Sequence, residues 1–404
     1  IYMKVAVIML GNNRHKSNDF GYWAIYAALI KKGYNVELLR ININQNEQSQ
    51  LIKKIENYQV VFLSVYYDNL ALFKKIIKQI RIAKPEIVLA TGGSIYTYQG
   101  YPNLYDQDLI LNDSHTVDFL IVGDPYLAGV HIVEYALNKR EVSAVENVVY
   151  LKDGKKVYGK FRELDINEYD NVVINQAIHY ADRPQKKIYI TGSIGCTSNC
   201  SFCFNHSLYG KKIHLRTVDS IVEELSACEK MGHSNFMFID SSLDEPNHDK
   251  QRLNEMADLI IKNKLNIYFT ANMTCTAHIH DEVTLKRMHE AGLCCVFLGC
   301  EAFNTQDLLV LQKRHRIDDC YKTYSKCEAA EIDVLFGVIN YNPFTSILGL
   351  LENDDAFNRL NLSGSFPYIR KLRVFPGTQI YQRMVSNGLQ YENFNNYEFS
   401  NVYL

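Results

Sequence analysis

Short apolar runs separated by helical stretches, in two successive series, restrict this chain more than any other feature. Residues 4–10 (KVAVIML) read as a buried strand, followed by a Gly/Asn/Ser loop and an apolar helix over 22–32, with Gly33 placed to cap it. Further short strands are expected at 36–39, 60–65, 87–90 and 119–122. Strands alternating with helices build parallel βαβ units, so the first series predicts a doubly wound α/β domain that binds its ligand beyond the carboxyl ends of the strands. The alternation resumes at 188–190 and repeats at 236–239, 267–271, 295–298, 334–339 and 371–375. Six such units predict a partial (β/α)6 barrel, with its chemistry again at the carboxyl edge. Between the two series, residues 148–158 read as a hairpin turning at Asp153-Gly154. The expected organisation is a doubly wound domain over 1–140, a hairpin and linker over 141–185, a barrel over 186–382, and a C-terminal extension over 383–404 that breaks off within an element.

At 404 residues the chain is too long for one core. A net charge of −2 gives no electrostatic reason to expect nucleic acid or an acidic membrane surface as partner. No apolar run is long enough to span a bilayer and no export signal opens the sequence. Ten cysteines without such a signal point to a reducing, cytoplasmic setting, and to thiols or metal ligation rather than disulfides.

Three of those cysteines carry the strongest chemical signal, Cys196-Thr-Ser-Asn-Cys200-Ser-Phe-Cys203, in the loop after the first barrel strand. Three thiolates on one short loop suit three irons of a cubane and leave the fourth iron open. Two other readings use the same residues: a Cys3His zinc site with His206, or a redox pair of Cys200 and Cys203. In the first domain, small or polar residues stand at successive strand ends: Gly11-Asn12-Asn13, Ser64 to Asn69, Gly92-Gly93-Ser94, and Gly123-Asp124. Together they suit a flat cofactor lying close to the backbone, although glycines also serve tight βα turns. Cys228, Cys320 and Cys327 are expected as core residues on helices, and alternation sets Cys300 on the face opposite Glu301. Cys275, just past a strand end, either packs or gives a hydrogen atom to a substrate radical.

The cysteine loop, with Phe202 immediately before its third cysteine, resembles the signature of radical S-adenosylmethionine (SAM) enzymes. The first domain is similar to the cobalamin-binding domains that precede such barrels. Ser64 and Asn69, Gly92-Gly93 and Gly123-Asp124 fall where that subgroup has its Ser…Asn, Gly-Gly and Gly-Glu signatures, with Asp124 a departure. Gly299-Cys300-Glu301 is similar to the family's Gly-x-Glu, Asp240 stands where the subgroup has an aspartate, and the helix after Arg216 and the LRVFPGT run from Leu372 also match.

The resemblance implies a Rossmann-like cobalamin domain followed by a radical SAM barrel. It implies a [4Fe–4S] cluster on Cys196, Cys200 and Cys203, with SAM and cobalamin as further cofactors. Cofactor contacts are then expected from Phe202, Asp240, Gly299, Glu301, Gly11, Asn12, Ser64, Asn69, Gly92, Gly93, Gly123 and Asp124. Tyr66, at the edge where a corrin would lie, and Cys275 are the catalytic candidates; a structural reading pairs Glu301 with a basic neighbour such as Arg373. The loop after the first strand carries His15 without the aspartate and glycine of cobalt-ligating relatives, so His15 is not expected to ligate cobalt. The implied activity is cobalamin-dependent methylation of an unactivated carbon of a peptide or small metabolite, with an external electron donor such as flavodoxin or ferredoxin. The alternatives are radical epimerisation, cyclisation or rearrangement with Cys275 as hydrogen donor, or a cluster-bearing sensor.

Overall fold

The computed structural model describes residues 3–10, 20–41, 45–65, 70–93, 117–169, 171–203, 205, 212–244, 250–276, 281–362, 370–375 and 378–389, with the backbone alone at 45–49, 70 and 71. The chain divides into two compact units, the change falling between Asn175 and Gln176.

The first unit is built on β1 (Lys4–Leu10), β2 (Asn35–Ile41), β3 (Val60–Ser64), β4 (Val88–Gly92) and β5 (Phe119–Ile121), all parallel. Val5 through Leu10 are all buried, as in a parallel sheet covered on both faces by helices. The strand order is β2-β1-β3-β4-β5, so the direction of winding reverses between β1 and β3. That reversal makes the crevice at the carboxyl ends of these two strands the ligand position of a doubly wound sheet. The hairpin forms as β6 (Val148–Lys152) and β7 (Lys155–Tyr158), with Asp153 and Gly154 both at positive φ, as a type I′ turn requires. It is part of the first unit's sheet: β6 pairs antiparallel with β5, which lets Val148, Val149 and Tyr150 be buried.

The second unit begins with β8 (Ile188–Ile190), followed by a two-stranded antiparallel pair, β9 (Ser193–Gly195) and β10 (Ile213–Leu215). Then come β11 (Asn235–Phe238), β12 (Tyr268–Met273), β13 (Leu293–Glu301) and β14 (Asp333–Val338). β8 and β11 to β14 make one parallel sheet in chain order, as successive βα units of a barrel do. The helix Val218–Lys230 starts on Thr217, whose hydroxyl accepts from the Ser220 N–H. Arg216, just ahead of it, is buried and pairs with Glu224 at 2.7 Å.

The sixth expected strand, 371–375, is not a regular strand. Its pairing is a single parallel bridge, Lys371 with Tyr341, closed by the Leu372 N–H on the Tyr341 carbonyl at 2.7 Å. The partner segment ends there because it turns at Asn342, where the Thr345 N–H returns to the Asn342 carbonyl, and Pro343 has no N–H to extend a ladder. Leu372 and Val374 are buried all the same, packed with Val310, Leu311 and Ile380.

Candidate active site

The cysteine motif lies on the loop between β9 and β10, and glycine closes its base. Gly195 has φ +103°, and a Cβ there would stand 2.0 Å from the Lys212 carbonyl oxygen. Gly195→Ala is therefore expected to cost ~1–3 kcal/mol of strain and to lower the iron retained after anaerobic reconstitution and desalting. Wild-type iron retention in that variant would show that the loop base does not set the cysteine geometry.

Further along, the loop is held from outside. Ser201 donates from its backbone N–H to the Leu311 carbonyl at 3.0 Å and from its hydroxyl to the Val310 carbonyl at 2.7 Å. Its own carbonyl accepts from the Ile380 N–H at 3.0 Å. Phe202, expected as a cofactor contact, packs against the cluster of Val310, Leu311, Leu372, Val374 and Ile380, and so anchors the loop. Cys196, Cys200 and Cys203 are half-buried and in no disulfide. Burial pushes the Cys203 thiol up to about 11, with Cys200 and Glu301 adding to the shift and Lys313 opposing it. Without a cation the thiol keeps its proton at neutral pH, and a bound metal would displace it.

Glu301 ends β13 at the same edge, with φ +69°. Its partner is Lys313, Nζ to Oε1 3.4 Å, with both side chains only 15% exposed. Arg373, the partner considered from sequence, is exposed. Gly299 provides room for this pair, since a Cβ there would meet Glu301 Oε1 at 3.2 Å and Lys313 Nζ at 3.5 Å. Burial raises the Glu301 pKa against the opposing pull of Lys313. Burial also works against the Lys313 ammonium, but Glu301 and Cys200 outweigh it and raise its pKa. Glu301 and Lys313 thus lie within electrostatic reach of the cysteine thiols. Sequence reasoning missed Lys313, because only folding brings it back over the β13 end.

Two carboxylates expected to touch cofactors hold turns of the protein itself. Asp240 is buried, and its oxygens accept from the Gly192 N–H at 2.9 Å and the Ser193 hydroxyl at 2.6 Å. It fixes the turn that leads into the cysteine loop. Asp124 caps the helix Pro125–Ala136, with Oδ1 accepting from the Tyr126 N–H at 2.8 Å and the Tyr169 hydroxyl at 2.5 Å. A further missed residue, Asp244, accepts from Ser242 and Thr274 and so joins the ends of β11 and β12. Cys275 is buried with its sulfur 3.5 Å from that of Cys300. It faces another thiol rather than an open mouth, which counts against its expected role as hydrogen donor.

In the first unit, Ser64 and Gly92 are paired neighbours at the ends of β3 and β4. Gly93 has φ +134° and a Cβ there would lie 2.1 Å from the Val65 carbonyl oxygen, so the turn itself demands glycine. Gly123 follows β5, where a Cβ would meet the Phe161 ring at 3.1 Å. The Ser64 hydroxyl is buried and has no hydrogen-bond partner among the described residues. An orphaned hydroxyl at this edge fits a ligand with polar groups of its own. Gly11, Asn12, Tyr66, Asn69, His15, Tyr67 and His206 lie outside the described residues.

Residues 190–359, from the end of β8 to the end of the helix Ile347–Arg359, match the radical SAM superfamily. This segment is a radical SAM domain. The radical SAM domain contains the cysteine loop, Asp240, Cys275, Glu301 and Lys313, while Leu372, Val374 and Ile380, which pack on that loop, lie beyond the matched region. Across the whole chain, an uncharacterized methyltransferase of Pyrococcus horikoshii is 22% identical over 388 residues, covering 91% of this chain and 78% of the relative. The fold is shared with the radical SAM methyltransferase TsrM from Kitasatospora setae, solved with cobalamin and a [4Fe–4S] cluster bound: TM-score 0.74 at 15% identity, over 96% of this chain and 75% of TsrM. It is shared also with the cobalamin-dependent SAM radical enzyme OxsB, solved with aqua-cobalamin and SAM: TM-score 0.71 at 14% identity, over 96% of this chain and 55% of OxsB. The chain thus spans about half of the OxsB chain. Among the described residues, no helix is long and apolar enough to cross a membrane.

Proposed function

We propose that this chain is a cobalamin-dependent radical SAM C-methyltransferase acting on an unactivated carbon of a peptide or small metabolite. The observation that carries the reading is the pinned three-cysteine loop beside the Glu301–Lys313 pair, on the carboxyl edge of a parallel barrel sheet. Cys196, Cys200 and Cys203 would hold the [4Fe–4S] cluster, and their half-buried thiols on one loop fit that demand. When bound, the cluster, SAM and cobalamin supply reductive cleavage of SAM to a 5′-deoxyadenosyl radical and the methyl group that is transferred.

The protein's own part is to hold and to shield. Ser201, Phe202 and Gly195 fix the loop, and Asp240 fixes the turn that leads into it. Glu301 offers an acceptor for the ammonium or ribose hydroxyls of a bound SAM, while Lys313 balances the anionic charge that thiolates, carboxylate and ligand bring together. In the first unit, the β1/β3 crevice with the Ser64 hydroxyl and Gly92-Gly93 offers an edge for a corrin. The reducing agent is an external one-electron donor of the flavodoxin or ferredoxin class.

Anaerobically reconstituted protein incubated with hydroxocobalamin and desalted is expected to keep a corrin band beside the cluster absorption. It is also expected to release 5′-deoxyadenosine on reduction with SAM. Cluster absorption with no retained corrin at micromolar protein would overturn the cobalamin assignment and favour radical chemistry without methyl transfer.

A further inference from the structure

Away from the cysteine loop, three more thiols converge. Cys275 follows β12, Cys300 lies on β13 and Cys320 on the helix Ile317–Ala329, yet their sulfur atoms all lie within 4.8 Å of one another. All three residues are essentially inaccessible, at 1%, 0% and 0% exposure. Apolar packing calls for cysteines to meet carbon; here sulfur meets sulfur, with Cys275 and Cys300 only 3.5 Å apart. Thiolates sharing one zinc ion through bonds of about 2.3 Å stand about 3.8 Å apart in a tetrahedron. Thiolates on separate irons of a cubane stand further apart, so the spacing suits one ion rather than a second cluster.

We propose that Cys275, Cys300 and Cys320 form a mononuclear zinc(II) site, independent of the cysteine loop. A soft, sulfur-only donor set in a dry interior selects a thiophilic d10 cation over hard ions. Cys327, buried about two turns further along the Cys320 helix, interacts electrostatically with Cys275 but stands outside the group of three. The charged surroundings are mixed: Lys313 and His315 act on Cys275, and Lys313 also on Cys320, while Glu301 and Asp319 lie on the anionic side. Lys313 offsets the net charge that three thiolates around a divalent ion leave. The site would tie β12, β13 and the Ile317–Ala329 helix together directly behind Glu301, and so act as a structural clip.

The test uses the full chain with Cys196, Cys200 and Cys203 all changed to alanine, produced with added zinc sulfate, desalted and analysed for metal. The expected result is about one zinc per chain, as a structural site binds, falling to background when Cys320→Ser is added. Removing the zinc with a strong chelator is expected to lower the melting temperature of the variant without the loop cysteines. A folded variant without zinc, zinc that survives Cys320→Ser, or an unchanged melting temperature on zinc removal would each overturn the proposal. If the triple alanine variant does not fold, the wild-type chain reconstituted with iron and sulfide serves instead, because iron then fills the loop and zinc is counted separately. Iron and SAM cleavage can be normal in a chain that binds no zinc, so failure here is distinct from failure of the proposed activity.

Discussion

Cys203→Ala is expected to abolish cluster absorption and to reduce SAM cleavage to background, a loss of at least ~10³-fold given usual enzymatic accelerations. The three cysteines share one loop whose geometry is fixed at both ends, by the Gly195 base and by the Ser201 contacts with Val310, Leu311 and Ile380. Cys275, Cys300 and Cys320 cannot take over, because they face one another and are buried. Burial, with Cys200 and Glu301 adding to it, holds the Cys203 thiol protonated, so its thiolate is worth forming only for a cation. Iron content and 5′-deoxyadenosine formation after anaerobic reconstitution are the measurements. Stoichiometric iron with SAM cleavage in Cys203→Ala would sink the assignment of this loop as the cluster site. Zinc in the wild-type loop, with no iron taken up, would favour the Cys3His reading.

Lys313→Met is expected to lower stability by about 3–5 kcal/mol, the usual result of leaving one member of a buried ion pair without its partner. For a domain of this size that corresponds to a melting temperature lower by roughly 6–20 °C. Glu301, only 15% exposed, would lose its countercharge. Its pKa is already raised by burial, and loss of the ammonium raises it further. A carboxyl with a raised folded-state pKa contributes stability below its unfolded pKa, and that contribution is lost as pH rises through the folded value. The deficit of Lys313→Met relative to wild type is therefore expected to be smaller near pH ~5 than near pH ~8. Equal deficits at both pH values would show that Glu301 is not the group left unpaired. SAM binding, read by equilibrium dialysis on reconstituted protein, is expected to weaken in parallel.

Lys313 shows where reasoning from sequence stops. Glu301 is legible as a candidate because it ends an apolar strand in a Gly-x-Glu pattern, which is local information. Lys313 carries no such mark: it follows a short helix among other charged residues, and only the fold of that helix returns its ammonium to the β13 end. Asp240 and Asp124 show the converse. Each stands at a strand end where an acid often meets a ligand, and the fold also gives each a backbone N–H to satisfy, a duty that its strand-end position does not announce.

What the sequence alone determined is short-range. The apolar runs specified β1, β3, β5, β8 and β11 to β14, the Asp153-Gly154 pair specified the hairpin, and the spacing of Cys196, Cys200 and Cys203 specified a loop able to hold a cluster. These follow from periodicity, turn conformation and side-chain chemistry within a few residues. Tertiary structure alone decided that the hairpin joins the first sheet, that the last barrel segment forms one bridge instead of a strand, and that Cys275, Cys300 and Cys320 meet. Such outcomes depend on how distant elements pack, and the distances that packing sets between residues far apart in the chain are written in no local pattern.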